Sequence, residues 1–263
     1  LIKKKRDNWM NKEKHKNFGN DNSKYSGVWP YNKLREIRIL QKLMIMPLKK
    51  WMGTTRTQNS YNDFYAKGGW RYFKWLEKRK LQKRIIKPLK LTKGLKLLEI
   101  GCGMGHHSNI FSKLGFKVVG TDLNEVAITY AKEHYSTPKY LHMDVKDLSL
   151  EFEPESFNII FSNGMSWYHY ELNGINQSGI DVPNCTNDLF KLLTKGGIFI
   201  LQIWTDFSGR TPDGEIHHNE LKDYVSLFER FGEVILISDR KGNILKTDSD
   251  AKKSKRGIII ATR

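Results

Sequence analysis

Leu97-Leu98-Glu99-Ile100-Gly101-Cys102-Gly103-Met104-Gly105 joins a short apolar run to a cluster of three glycines. A run of that length, already apolar at Leu95 and stopping at glycines, reads as a buried parallel strand turning tightly into a helix through Leu114. Glycines in such a turn let backbone N–H groups approach a ligand, and the N-terminus of the helix favours negative charge. The same pattern also suits a plain strand-to-helix connection, and the turn alone does not separate the two. Downstream, strand-like segments at 117–121, 139–143, 157–162 and 197–203 alternate with helix-like segments at 125–134, 187–193 and 219–231. That alternation implies an α/β fold with a doubly wound, mostly parallel sheet and helices on both faces. The last two strands, 234–238 and 257–261, have no helical pattern between them and are expected to form an antiparallel terminal hairpin at the sheet edge.

Ligands of doubly wound sheets bind beyond the carboxyl ends of the strands. Three acids fall at successive strand ends. Glu99 stands before the turn, where it would hold a positively charged ligand group. Asp122 ends the second strand, where a carboxylate can accept both hydroxyls of a ribose. Asp144, in His142-Met143-Asp144-Val145, ends the third and could accept from an exocyclic amine of adenine. Singly, each acid is explained as a helix cap or a solvated loop residue, and Asp122 could cap the helix after it. Three in succession are hard to explain as caps.

The segment 97–105 resembles motif I of the class I S-adenosylmethionine (SAM)-dependent methyltransferases. Val118-Val119-Gly120-Thr121-Asp122 is similar to the strand carrying their ribose-binding acid, and Asp144 matches their adenine-side acid. Leu192-Leu193-Thr194-Lys195-Gly196-Gly197 is similar to the turn before their fifth strand, with Lys195 where proline is usual. The resemblance covers about residues 90–263 and implies a seven-stranded sheet with a reversed terminal strand. It implies SAM as cofactor, with Gly101, Gly103 and Gly105 bordering the methionine moiety, Asp122 the ribose, and Asp144 and Val145 the adenine. Cys102, Leu123, Ser162 and Glu99 complete the expected cofactor-binding set. A nicotinamide-dependent dehydrogenase competes for the same turn, but its G-x-G-x-x-G fingerprint differs from the G-x-G-x-G here. His106 replaces its third glycine, and Glu99 would repel a pyrophosphate.

Composition sets the frame around this core. The chain has 263 residues, 39% hydrophobic, enough for one full core plus an appendage. Its formal charge of +17 is unevenly spread: residues 1–96 hold 27 Lys/Arg against 6 Asp/Glu, and residues 97–263 hold 18 against 22. A basic N-terminal third suits an anionic partner such as RNA, a phosphorylated metabolite or an acidic membrane face; it also suits the Lys- and Asn-rich surface of an AT-biased genome. The expected layout is a flexible basic arm over 1–30, a basic helical extension or lid over 31–90, and the methyltransferase domain over 91–263. An amphipathic helix is expected at 33–48 and a second helical region at 62–86. Cys102 and Cys185 lie far apart with no metal-ligand spacing, so neither a disulfide framework, a zinc site nor another metal is expected, and a cytoplasmic location is. No apolar run is long enough to span a bilayer, so integral membrane association is not expected, and no signal-peptide pattern is present.

Methyl transfer from a sulfonium is an in-line displacement, which asks the protein mainly to align the acceptor and exclude water. A base is needed only where the acceptor holds its proton at neutral pH. The loop after the fourth strand reads Ser162-Asn163-Gly164-Met165-Ser166-Trp167-Tyr168-His169-Tyr170. It lacks the D/N-P-P-Y/F signature of enzymes that methylate exocyclic base amines or glutamine amides. His169 and Tyr168 are the candidate catalytic residues; Trp167, Tyr168 and Tyr170 could instead wall the acceptor pocket or simply pack. His217 and His218 are further candidates, and His106 and His107 are expected beside the cofactor turn. Two functions stay open: methyl transfer to a small-molecule or saccharide acceptor, or an RNA methyltransferase (tRNA or cap type). In the second, the basic third would grip phosphates, and Trp70, Tyr72, Phe73 and Trp75 would offer stacking faces. A non-catalytic SAM-binding subunit sits poorly with three intact acids.

Overall fold

A computed structural model describes residues 58–66, 74–165, 167–170, 172, 180–203, 207–209, 219–239, 242–252 and 257–263. The basic arm over 1–30, the helix expected at 33–48, and Trp70, Tyr72, Phe73, His217 and His218 lie outside the described residues. The chain divides into two compact units, Leu1–Lys74 with Pro212–Glu215, and Trp75–Thr211 with Ile216–Arg263. In the first, helix α1 (Gln58–Ala66) buries Phe64 and stacks Tyr61 on Tyr65, centroids 6.3 Å apart.

The elements that follow are α2 (Lys74–Leu81), a π-helical turn (Gln82–Ile86), β1 (Lys96–Ile100), α3 (His106–Lys113), β2 (Lys117–Asp122), α4 (Glu125–His134) and β3 (Lys139–His142). A 3-10 turn (Val145–Asp147) then leads into α5 (Leu148–Glu151), β4 (Phe157–Asn163), α6 (Trp167–Tyr170), α7 (Val182–Leu192), β5 (Leu193–Ile203), α8 (Leu221–Phe228), β6 (Glu233–Asp239), α9 (Asp248–Lys252) and β7 (Gly257–Thr262). The seven strands form one sheet in the order β3-β2-β1-β4-β5-β7-β6. The pairs among β1 to β5 are parallel, and β7 runs antiparallel to both β5 and β6. The expected fold class and reversed terminal strand are therefore present. Beyond the expectation, β7 inserts between β5 and β6, and the short helix α9 lies in the connection from β6 to β7, where no helix was expected.

Period-two alternation builds the two cores. Leu98, Ile100, Ile160, Phe199, Leu201, Ile259 and Ala261 face α7 and α8, whose Leu189, Phe190, Tyr224 and Phe228 are buried with them. Leu97, Val118, Ile159, Phe161, Ile200, Ile258 and Ile260 face the opposite way, onto Ile110 and Phe111 of α3 and Leu81 and Ile85. Sheet faces apolar on both sides are what parallel strands covered by helices require. Because Leu81 and Ile85 belong to that second core, the packed unit takes in residues upstream of the strand texture at Leu95. Glu99 shares the parity of Leu97, so its side chain points to the α3 face. Among the described residues no helix is long and apolar enough to cross a membrane.

Candidate functional site

The glycine turn folds back because Gly101, Gly103 and Gly105 take positive φ values of 66°, 50° and 71°, a region that costs other L-residues. Asp122 ties this turn to the end of β2: its Oδ2 accepts from Gly103 N at 2.7 Å and its Oδ1 from Asn124 N at 2.8 Å. Each carboxylate oxygen keeps a further lone pair for a ligand hydroxyl. Burial pushes the Asp122 carboxyl up, opposed by those two N–H donors and by His142. The cap of α4 is Asn124, whose side chain accepts from Ala127 N at 3.0 Å, and not Asp122. Leu123, between them, is apolar yet half exposed.

Asp144 is half-buried, and its Oδ1 accepts from Lys146 N at 3.1 Å, capping the 3-10 turn that contains Val145. Its Oδ2 has no hydrogen bond among the described residues. Capping and ligand binding therefore do not compete for the same oxygen. Ser162, paired with Ile100 at the end of β4, is fully buried, and its Oγ has no partner among the described residues. Cys102 is a buried free thiol, which burial holds well above the usual thiol range.

Glu99 differs from the other two acids. It is 1% exposed, and its carboxylate accepts from the Ser108 hydroxyl and lies 3.7 Å from His107 Nδ1. Burial pushes its carboxyl up to about 7, against the pull of His107 and Ser108, with Asp122 adding to the rise. Glu99, expected to hold a cationic ligand group, thus sits buried beneath the turn. His106 packs beside the turn as expected, its Nδ1 2.9 Å from the Tyr135 hydroxyl.

The loop after β4 approaches the turn through Met165: a Cβ added to Gly101 would lie 2.7 Å from the Met165 methyl. Tyr168 is fully buried, stacked on Trp167 at 3.9 Å, and its hydroxyl lies 3.2 Å from Thr186 Oγ1. Burial raises its phenol far above the ordinary range. These contacts make Tyr168 a packing residue rather than a proton acceptor. His169 is also buried, and Trp167 Nε1 has no hydrogen-bond partner among the described residues. Asn219 was not foreseen. Its Nδ2 donates to Tyr168 O at 2.9 Å, His169 O at 3.2 Å and Tyr224 Oη at 3.0 Å, pinning α6 to the start of α8. The two carbonyl acceptors lie 51 and 50 residues before Asn219, where sequence spacing does not signal them.

A family profile described as "Methyltransferase domain" matches residues 91–232, more than half of the chain. A malonyl-[acyl-carrier protein] O-methyltransferase of Pectobacterium atrosepticum is 27% identical over 116 residues, 44% of this chain and 41% of that protein. Phosphoethanolamine N-methyltransferase 3 of Arabidopsis thaliana is 26% identical over 157 residues, 57% of this chain and 30% of that one. The chain thus spans less than half the length of these curated relatives. The crystal structure of a TehB-like SAM-dependent methyltransferase from Corynebacterium glutamicum shares the fold with a TM-score of 0.52 at 20% identity, covering 78% of this chain and 95% of that one.

Proposed function

From a chain that belongs to the methyltransferase-domain family, with its class I fold and SAM as cofactor, we propose methyl transfer to a small-molecule acceptor. The observation that carries the cofactor assignment is Asp122: it braces the glycine turn and still offers lone pairs at the end of β2. In this reading Asp122 takes the ribose hydroxyls, Asp144 Oδ2 the adenine amine, and half-exposed Leu123 the flat face of the base. Gly101, Cys102, Gly103 and Gly105 border the methionine moiety. Ser162 Oγ is a buried polar atom that a ligand oxygen would satisfy, which fits a built site, since an unmet buried hydroxyl costs about 1–3 kcal/mol.

Bound SAM supplies a methyl group on a sulfonium, and the chain's own residues align an acceptor against it and keep water out. The buried loop around Trp167 suits an acceptor of modest size, with Trp167 Nε1 donating to it. His169, on the same short helix, is the group assigned to take a proton when the acceptor is a hydroxyl; Tyr168 serves by packing. The relatives are named for malonyl-[acyl-carrier protein] and phosphoethanolamine as acceptors.

The RNA reading has one observation in its favour. Lys83, Lys87, Lys90, Lys93, Lys96, Lys113 and Lys117 are exposed and enter no ion pair among the described residues. Yet Lys96 and Lys117 are register partners at the amino ends of β1 and β2, and Lys93 lies over Gly115 beside them. That end is opposite the glycine turn, so Lys93, Lys96 and Lys117 do not frame the methyl-transfer site. Incubation with methyl-labelled SAM and a cell extract, followed by size fractionation and ribonuclease treatment, separates the readings. Label in the low-mass fraction supports the small acceptor, and ribonuclease-released label overturns it.

A further inference from the structure

Glu77 lies on α2, outside the segment 91–232 that matches the family, yet it reaches the floor of the glycine turn. Its Oε2 is 3.8 Å from His107 Nε2, while His107 Nδ1 is 3.7 Å from Glu99 Oε1. One imidazole therefore bridges two carboxylates, one from the N-terminal extension and one from β1. The bridge is enclosed: Glu99 and His107 are more than nine-tenths buried, and the ring meets Phe161 edge-on at 5.8 Å. We propose that Glu77 is a positioning residue for the cofactor site, holding His107 as an imidazolium so that Glu99 ionises more readily beneath the turn. The inference rests on the SAM-binding reading above.

The charged groups facing this bridge come from every element packed around it. Lys80 of α2 pairs with Glu77, Ser108 of α3 donates to Glu99, and Asp122 of β2, Cys102 of the turn and Tyr140 of β3 border Glu99. Burial alone would raise Glu77, but His107 and Lys80 more than offset it and hold its carboxyl at about 2. Glu77 is thus an anion at any working pH. Burial alone would lower His107, and Glu77 and Glu99 together carry it above its ordinary 6.5. Without Glu77, His107 loses its proton more easily, and Glu99, already carried to about 7 with burial and Asp122 pushing it up, holds its proton to a higher pH still. The cofactor carries a sulfonium and an ammonium, so a protonated Glu99 weakens its binding.

The test is SAM binding by calorimetry from pH 6 to 8 with the full chain and its Glu77→Gln and Glu77→Asp variants. For Glu77→Gln the expected result is a dissociation constant about tenfold weaker at pH 6.5, converging on wild type by pH 8, a displacement of the acid limb by about one pH unit. Glu77→Asp restores most of the wild-type profile. A Glu77→Gln profile parallel to wild type at every pH, weaker or not, overturns the proposal, because a merely structural glutamate moves all pH values alike. If Glu77→Gln does not fold, the His107 ring titration in the wild-type chain by NMR decides. A midpoint above 6.5 that falls in Glu99→Gln supports the bridge, and one at or below 6.5 overturns it. A wild-type chain that binds no SAM at any pH refutes the cofactor reading instead.

Discussion

Replacing Gly105 by alanine puts a methyl group where the chain has no room for one. Gly105 sits at φ 71°, ψ 17°, a left-handed conformation that costs an alanine about 1–2 kcal/mol. The added Cβ would lie 2.6 Å from the Tyr140 hydroxyl oxygen and 2.7 Å from two of its ring carbons. Tyr140 cannot simply swing away, because it is 4% exposed and its hydroxyl donates to Gly105 O at 3.1 Å. Moving the ring gives up that bond, about 1 kcal/mol, and strains a packed neighbourhood by about 1–3 kcal/mol more. Together the expected loss is about 3–6 kcal/mol, a large share of a typical domain's stability. Gly94→Ala is the control: at φ 86° with nothing within 4 Å of its added Cβ, it bears the backbone cost alone. Urea unfolding monitored by circular dichroism should place Gly105→Ala at least about 2 kcal/mol below Gly94→Ala. Equal losses for the two variants would refute the clash with Tyr140, and with it the packing that places the turn against β3.

Other perturbations act on the remaining contacts. Asp122→Asn turns an amide N–H₂ toward the Gly103 or Asn124 N–H; SAM binding measured by calorimetry should weaken at least about tenfold, with about 1–3 kcal/mol lost in urea unfolding. Asn219→Leu removes the bonds to Tyr168 O, His169 O and the Tyr224 hydroxyl, so kcat should fall about tenfold or more while the SAM dissociation constant changes less than threefold. In the ligand-free chain, Glu99 binds its proton more tightly folded than unfolded, so between pH 4.5 and about 7 its contribution to stability falls as pH rises. Glu77 acts oppositely: its contribution is present above about 4.5 and is lost as pH falls toward 2. Melting curves of Glu99→Gln against wild type should therefore show an advantage for the variant that grows from pH 5 to pH 8, on the order of 2–3 kcal/mol.

The parts of the fold that could be read in the sequence are those encoded locally. An apolar run stopping at Gly101 marks the end of β1, and Glu125–His134 carries its own cap, helical spacing and ending, so its bounds emerged residue for residue. The positions of Asp122 at the end of β2 and Asp144 just beyond β3 were legible for the same reason. Elements decided by tertiary pairing were less legible. Leu193 to Gly197 reads as a turn, yet Leu193 pairs with Phe157 across a bulge, and Gly196 N donates to the carbonyl of Arg263 at 3.0 Å. The helix expected at 187–193 begins five residues earlier, because Asp181 caps it and Pro183 is tolerated in its first turn. Tyr168 carries a hydroxyl in an aromatic loop, a pattern that fits catalysis and packing equally until Thr186 and Phe228 are seen around it. Glu77 and Asn219 escaped because Glu77 meets His107 and Asn219 meets the Tyr168 and His169 carbonyls across long stretches of sequence, at separations where spacing carries no contact information.

The most direct test of the account is equilibrium binding of SAM to the purified chain by titration calorimetry, repeated with Asp122→Ala. One saturable site per chain is expected, lost in Asp122→Ala while circular dichroism shows the fold retained. Absence of binding to the wild-type chain, or binding unchanged by Asp122→Ala, would contradict the assignment of the cofactor to the glycine turn and the end of β2.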